Sequence, residues 1–352
     1  MSAAASGWNG EALVERRDGQ TGALMLVAIH SSRLGPATGG TRLRTYASDD
    51  LARQDARRLA EAMTCKWAAA DFPRGGGKAV LAVPAGFGDA ARTGLLRRYG
   101  ALLRELSGRF ATGPDVGTSP ADMDVIAETG APYVFSRTPA RGGAGGSGPW
   151  TALGVFAAIE AVGERLFGGR SLRGRRVTVQ GAGSVGGPLI ERLLEAGARV
   201  VFGDPSPEAG RRLLERRGVE RVSPEACLEA EADVFAPCAL GGVLDAVTIT
   251  RLRCRAVVGA ANDQLADPAD AERLRARGIL YAPDFVVNAG GAVAVTGIEA
   301  LGWTPARAEA AVGAIGETLT RVLALADREG VTTDAAARRI AEERLAAAQP
   351  RR

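Results

Sequence analysis

The chain carries 44 lysines and arginines, and only Lys66 and Lys78 are lysines. Arginine serves on a surface at little structural cost, so a lysine kept in this background points to a place where arginine will not do. Arginine stays protonated under ordinary conditions, whereas a lysine withdrawn from water can lose its proton and act as a base. Lys66 ends a helix-like run and Lys78 closes the sequence Gly-Gly-Gly-Lys. A carboxylate of matching character is Asp115, set in a tight loop between Gly113 and Gly117. Two amines near one another depress each other's pKa, and a carboxylate beside them can hold one and relay protons. The set is suited to amine-dependent acid–base chemistry.

A second constellation points to a cofactor. Gly181, Ala182, Gly183, Ser184, Val185 and Gly186 form a G-x-G-x-x-G run that follows a strand-like VTVQ and opens a helix-like PLIERLLEAG. In that context the glycines allow a tight turn and close approach of backbone to a pyrophosphate at the helix start. Asp204 ends the next strand, near the spacing of about 20 residues at which a carboxylate meets the ribose hydroxyls. No arginine adjoins it, which favours NAD over NADP, although Arg211 and Arg212 stand within reach of a phosphate. With a hydride acceptor present, the lysines and Asp115 have a joint use. Oxidising an amino acid at Cα needs a cation for the α-carboxylate and a base for the amine and for water.

The elements that must position these residues can be read coarsely. Residues 22–29 read as a buried strand. Residues 50–67 read as a helix with Leu59, Met63, Lys66 and Trp67 on one apolar face, so Lys66 is expected to project from a buried surface. DFPRGGGK reads as a loop into a short strand, AVLAV, and 90–106 as a second helix. Ser119, Pro120 and Asp122 form an N-cap, N1 and capping-box pattern, and Asp124 belongs to the same helix start. Residues 139–149, rich in glycine, read as a hinge or as a loop whose backbone approaches a ligand. A helix from about Thr151 then leads into alternating strands and helices, including ADVFAPCAL, CRAVVGAAN and GILYAPDFVVNAGG. The stretch from about Ala306 reads as helical and packs back across both domains. The fold class is therefore α/β in two domains, an N-terminal α/β substrate domain and a Rossmann doubly wound NAD-binding domain. The boundaries fall at 1–145, 146–325 and 326–352, the last a C-terminal helix returning to the N-terminal domain.

Composition excludes several other functions. A formal net charge of +4 over 352 residues, with no basic run interleaved with aromatics, argues against nucleic acid. The N-terminus lacks the basic and apolar regions of a signal peptide, and no apolar run reads as a membrane span. Four cysteines without CxxC spacing and a single histidine, His30, argue against metal and against Ser-His catalysis. Unpaired thiols suit a reducing cytoplasm.

The order of motifs resembles the glutamate/leucine/phenylalanine/valine dehydrogenase family along nearly the whole chain. GPATGGTR (Gly35–Arg42) is similar to that family's GPALGGTR, MTCK to its MTYK, and GGGK and PDVGT to the segments carrying its catalytic lysine and aspartate. APCALGG (Ala236–Gly242), GAANDQL (Gly259–Leu265) and YAPDFVVNAGG (Tyr281–Gly291) resemble its cofactor and substrate loops. The resemblance implies reversible oxidative deamination of an L-amino acid by NAD and water to a 2-oxo acid, ammonia and NADH. Lys66 would bind the α-carboxylate, Lys78 would polarise the 2-oxo group and activate water while neutral, and Asp115 would shuttle protons. Gly39 and Gly40 would line the substrate site. Cys238, Ala239, Ala261, Asn262 and Thr151 would contact the cofactor, and Asn288 both cofactor and substrate. Each asparagine also fits a turn after a strand, and Thr151 an N-cap. Domain closure would exclude water, and a homo-oligomer, from dimer to octamer, would be built through the N-terminal domain.

Glutamate-specific relatives carry a lysine where this chain has Thr38, so a glutamate side chain would lack its cation and an apolar substrate is favoured. Where leucine-type relatives have Leu, Ala, Val and Val, this chain has Thr38, Gly113, Ala292 and Val295. The smaller residues make room and lean towards phenylalanine over valine, within the set Phe, Leu, Val and Ile. Pro114 and Trp67 depart from the leucine-type pattern, and Trp67 either walls the pocket or is core. The competing readings are a glutamate dehydrogenase with an altered pocket, a silent NAD- or amino-acid-binding sensor, and a lysine–aspartate dehydrogenase acting on a hydroxy acid.

Overall fold

Alternation along two apolar strands divides the first unit into layers. The computed structural model describes residues 8–348. Its first sheet contains β1 (Ala12–Arg17), β2 (Leu24–Ser31), β3 (Ala37–Arg44), β4 (Gly75–Ala82) and β5 (Phe110–Pro114), in the order β1-β2-β4-β3-β5. β2 is antiparallel to β1 and β4, and β3 is parallel to β4 and β5. Leu24, Leu26, Ala28 and Val80 pack with Ala52, Ala56 and Ala60 of helix α1 (Asp49–Ala69). Met25, Val27, Ile29, Ala79 and Leu81 point the other way, onto Leu95 and Tyr99 of α2 (Asp89–Glu105) and Met123 and Ile126 of α3 (Pro120–Gly130). Side chains two apart share a face, so Lys78 emerges with Val80 on the α1 side. Arg42, whose cross-strand partner is Val80, emerges there too.

The strand expected at 22–29 and the helices at 50–67 and 90–106 are present with shifted ends. The glycine triplet is a correction: Gly75, Gly76 and Gly77 are the first residues of β4 and form no loop. β1 and β3 were not legible; β3 (ATGGTRLR) holds two glycines, which weaken any strand signal.

The second unit holds six parallel strands: β6 (Arg176–Gln180), β7 (Arg199–Gly203), β8 (Val219–Val222), β9 (Val234–Pro237), β10 (Ala256–Val257) and β11 (Leu280–Tyr281). Their order, β11-β10-β9-β6-β7-β8, is the doubly wound Rossmann arrangement, with the first strand at the switch point. The connecting helices begin with α4 (Gly148–Phe167), α5 (Gly186–Glu195), α6 (Pro224–Glu229), α7 (Thr248–Arg251), α8 (Asp270–Ala276) and α9 (Asp284–Val287). Then come α10 (Gly290–Leu301), α11 (Pro305–Gly313), α12 (Ile315–Glu329) and α13 (Thr333–Ala347).

Among the described residues, the first unit comprises 8–146, Val295–Gly302 and 341–348; Ser147–Ala294 and Trp303–Ile340 form the second. The C-terminal boundary thus lies inside α13, after Ile340, and Arg344 donates to the Ala68 and Ala69 carbonyls at 2.7 Å. The glycine-rich stretch at 139–149 is tied down at its start. Glu299, its side chain 5% exposed, accepts from the amides of Ser136 and Ala144 at 2.9 and 2.7 Å. Asp284–Leu301 corrects the membrane reading, being long and apolar enough to cross a bilayer by composition. Because 72% of it is buried within the protein, it reads as core.

Candidate active site

Three neighbouring strands and one turn bring the first unit's chemistry together. Lys78 Nζ lies 3.0 Å from Asp115 Oδ2, with the lysine side chain 6% and the aspartate 15% exposed. The turn that carries Asp115 is built for that aim. The Thr118 hydroxyl accepts from the Asp115 amide at 2.9 Å and donates to the Thr41 carbonyl at 2.8 Å. Gly117 turns at φ +80, where a side chain would overlap the Leu43 carbonyl. Gly40, paired with Gly113 across the sheet, leaves the room: a Cβ there would sit 2.8 Å from Asp115 Cβ and 3.4 Å from Lys78 Nζ.

Electrostatics bias the two groups in different ways. Burial pushes the Lys78 amine below its ordinary 10.5; Asp115 opposes that shift and Arg42 reinforces it. Burial alone would raise Asp115, but the charges of Lys78 and Arg42 hold it at about 2. The result is an ionised carboxylate beside an amine biased towards its neutral form. Such a pair can accept a proton from water or an amine and return it.

Arg42, the last residue of GPATGGTR, joins the pair. Its Nε donates to Asp115 Oδ2 and its Nη1 to Asp55 Oδ2, both at 2.9 Å. No signal in the sequence marked it, because β3 does not read as a strand; within that strand Arg42 stands two residues beyond Gly40 on the same face.

Of the other residues named from sequence, Thr38 and Gly39 lie on β3, Gly113 on β5 and Lys66 on α1. Trp67 is core and not a pocket wall: it is 1% exposed, and its indole donates to the Thr38 carbonyl at 2.9 Å. Lys66 is half-buried in the last turn of α1, so the fully buried position beside it belongs to Trp67. The same helix end backs onto the glycines. A side chain at Gly76 would overlap Thr64, and one at Gly39 would overlap the Gly77 carbonyl. The Thr38 hydroxyl donates to the Pro36 carbonyl at 3.1 Å. At Gly113 a Cβ would meet only the Phe135 carbonyl, at 3.8 Å. Ala292 and Val295 lie on α10, Ala292 in the second unit and Val295 in the first.

The second unit's glycine turn fits a dinucleotide. Gly181 adopts φ +95, and a side chain at Gly186 would overlap the Gly181 carbonyl. At Gly183 a Cβ would meet nothing within 4 Å; Ser184 and Val185 complete the turn. Asp204 accepts from the amides of Ala182 and Ser206, both at 2.8 Å, tying the turn to the end of β7. A cleft of about 350 Å³ beside it is lined by Ala182, Pro188, Glu208, Arg211 and Arg212 among others. Cys238 and Ala239 pack beneath the turn, and burial pushes the Cys238 thiol up to about 12, so it stays protonated.

Asn288 Nδ2 donates to Asn262 Oδ1 at 2.8 Å and to the Ala260 carbonyl at 3.1 Å, while Asn288 Oδ1 is buried without a partner. A buried acceptor left open is costly unless a ligand meets it. Gln264, whose type carries no signal in the sequence, braces this loop by donating to the Gly259 and Ala261 carbonyls at 2.8 and 3.0 Å. Thr151 is not the N-cap. Ser147 holds that position, and the Thr151 hydroxyl donates back to its carbonyl at 3.1 Å.

A buried lysine–aspartate pair and a doubly wound dinucleotide unit in one chain define a pyridine-nucleotide-dependent dehydrogenase. The family model for the "Glu/Leu/Phe/Val dehydrogenase, dimerisation domain" matches residues 12–131, and that for "Glutamate/Leucine/Phenylalanine/Valine dehydrogenase" matches residues 209–352. Leucine dehydrogenase of Thermoactinomyces intermedius is 40% identical over 338 residues, covering 95% of this chain and 90% of that protein. Valine dehydrogenase of Streptomyces virginiae is 43% identical over 345 residues, covering 96% and 94%. The crystal structure of L-tryptophan dehydrogenase from Nostoc punctiforme aligns with a TM-score of 0.82 at 36% identity, covering 96% of each chain. This chain belongs to the glutamate/leucine/phenylalanine/valine dehydrogenase family.

Proposed function

We propose that the protein catalyses the reversible oxidative deamination of an apolar L-amino acid, with NAD as acceptor. The observation that carries this reading is the buried Lys78–Asp115 pair, 3.0 Å apart, in a chain of this family. The overall change is L-amino acid, NAD⁺ and water to 2-oxo acid, ammonium, NADH and a proton. Bound at the glycine turn, the dinucleotide would supply the hydride acceptor. Lys66 binds the substrate carboxylate. Lys78, neutral, accepts a proton from the attacking water and then hydrogen-bonds the developing carbonyl oxygen. Asp115, ionised at rest, takes a proton from the substrate ammonium, returns it to the departing amine, and accepts the carbinolamine hydroxyl proton as the carbonyl forms; that proton leaves on ammonium and the one on Lys78 is released to water.

Gly181–Gly186 seat the pyrophosphate, with Ala239 and Ala261 nearby in the fold. Asp204 receives the ribose hydroxyls, which supports NAD over NADP. Asn288 Oδ1 is the open acceptor for an amide or amine of the ligands, with Asn262 and Thr151 beside the nicotinamide end. Thr38 in place of a lysine disfavours glutamate. Thr38, Gly39, Gly40, Gly113 and Val295 receive the substrate, and the open space at Gly113 favours the larger apolar side chains. The free cysteines fit a cytoplasmic enzyme, and the matched dimerisation-domain model supports a homo-oligomer.

The test is NADH formation at alkaline pH across L-Phe, L-Leu, L-Val, L-Ile and L-Glu, with Lys78→Ala alongside. Turnover of the apolar substrates should fall by about 10²–10⁴-fold in the variant. Turnover of glutamate alone, or none with dinucleotide binding intact, would overturn the reading.

A further inference from the structure

A buried lysine and aspartate left to themselves would settle as an ammonium–carboxylate pair, because each charge stabilises the other. Such a pair holds the amine protonated and gives no base. The first unit adds a third group. Arg42 reaches Asp115 Oδ2 through Nε at 2.9 Å, and that same oxygen is 3.0 Å from Lys78 Nζ. Arg42 is itself fixed from behind: Nη1 meets Asp55 Oδ2 at 2.9 Å, and the Tyr46 hydroxyl donates to the same oxygen at 2.7 Å. Arg58 closes the chain on Asp55 Oδ1 at 2.9 Å. Arg42, Asp55 and Asp115 are each only 14–15% exposed, so solvent screens the row weakly.

We propose that Arg42 is a positioning residue for the Lys78–Asp115 pair, holding the carboxylate aimed and charge-balanced so that Lys78 can stand beside it without its proton. The inference rests on the dehydrogenase reading for its catalytic consequence, and on the shared Asp115 oxygen and the burial of the row for the state of Lys78. A lysine at this place would not serve, because one ammonium cannot meet two separate carboxylates as a guanidinium fork does.

The charged groups bearing on Lys78 are Asp115 from the turn after β5, Arg42 from β3 and Asp55 from α1. From β2, Ala28 stands opposite Lys78, and the strand's histidine, His30, hydrogen-bonds Thr64 and Asn9. Removing Arg42 therefore removes the fixed cation that opposes protonation of Lys78, and Asp115 is left to stabilise the ammonium.

The test uses the full-length protein labelled with carbon-13 at lysine Cε, which gives two signals because the chain has two lysines. In Arg42→Gln the Lys78 midpoint should rise by a pH unit or more. The acid limb of kcat/KM should move up with it, and kcat/KM near pH 7 should fall about tenfold, with dinucleotide Kd unchanged within about twofold. A merely structural role would lower yield or Tm and leave the midpoint in place. An unmoved midpoint and acid limb in a folded variant would overturn the proposal. Should Arg42→Gln fail to fold, Arg42→Met carries the same test: the Lys78 midpoint and the acid limb of kcat/KM should rise together, and a midpoint that stays in place would overturn the proposal. The titration needs no substrate, so the Lys78 shift can be read even if amino-acid turnover fails.

Discussion

At the scale of single residues, the site depends on what glycines leave empty as much as on what charged groups supply. Gly40 makes room for the lysine–aspartate pair, and Gly113 leaves space bordered only by the Phe135 carbonyl. Gly113→Ala is therefore expected to fold normally and to narrow the substrate site. Its kcat/KM for phenylalanine should drop about 10–200-fold relative to valine, read from steady-state kinetics on both substrates; an unchanged ratio would place the side chain elsewhere. Lys78, Asp115 and Gly40 were legible because their types are rare or their motifs ordered. Arg42 was not: in a chain so rich in arginine its type carries no signal, and only the cross-strand register with Val80 shows where it points.

At the scale of elements, strands that look weak in sequence do the positioning. β3 and the start of β4 read poorly because glycines lower strand propensity. Those glycines are required by close packing, since Gly39 backs onto the Gly77 carbonyl and Gly76 onto α1. Burial against a neighbouring backbone is a tertiary fact that local periodicity does not encode. The segment after β5 shows the same limit. Its glycines suggest a hinge, yet Glu299, distant in sequence, accepts from two of its amides. Burial raises the Glu299 pKa, and those two hydrogen bonds oppose the shift. Glu299→Ala should cost about 1–3 kcal/mol in chemical denaturation. It should also speed tryptic cleavage after Arg137 or Arg141. Equal cleavage rates in the two proteins would show that the clamp does not order the loop.

At the scale of the whole molecule, charge placement sets the response to pH. Arg98 holds Asp18 at about 2, with Thr21 hydrogen bonds assisting against burial, and Asp115 is held at about 2 as well. Both folded values lie below the ordinary 3.8, so each group stabilises the fold above about pH 4 and loses that contribution as pH falls towards 2. Lys78 acts in the same direction over a higher range: its lowered pKa means the fold disfavours the ammonium, a cost present at low pH and relieved as pH rises towards 10.5. Acid unfolding followed by circular dichroism should therefore begin below about pH 4, and Asp18→Asn should weaken its dependence on pH. A wild-type profile flat from pH 5 to pH 2 would contradict the assignment.

The doubly wound sheet was legible because strand, glycine turn, helix and acid recur in a fixed order. β8 and the unit boundary inside α13 were not, since they follow from long-range packing.

The central claim is that the buried amine and carboxylate remove nitrogen from a carbon that also gives up hydride. The most direct measurement is product stoichiometry with an apolar L-amino acid deuterated at Cα. One ammonia and one 2-oxo acid should form for each reduced dinucleotide, with the deuterium carried to the dinucleotide. Reduction of the dinucleotide without release of ammonia would contradict it.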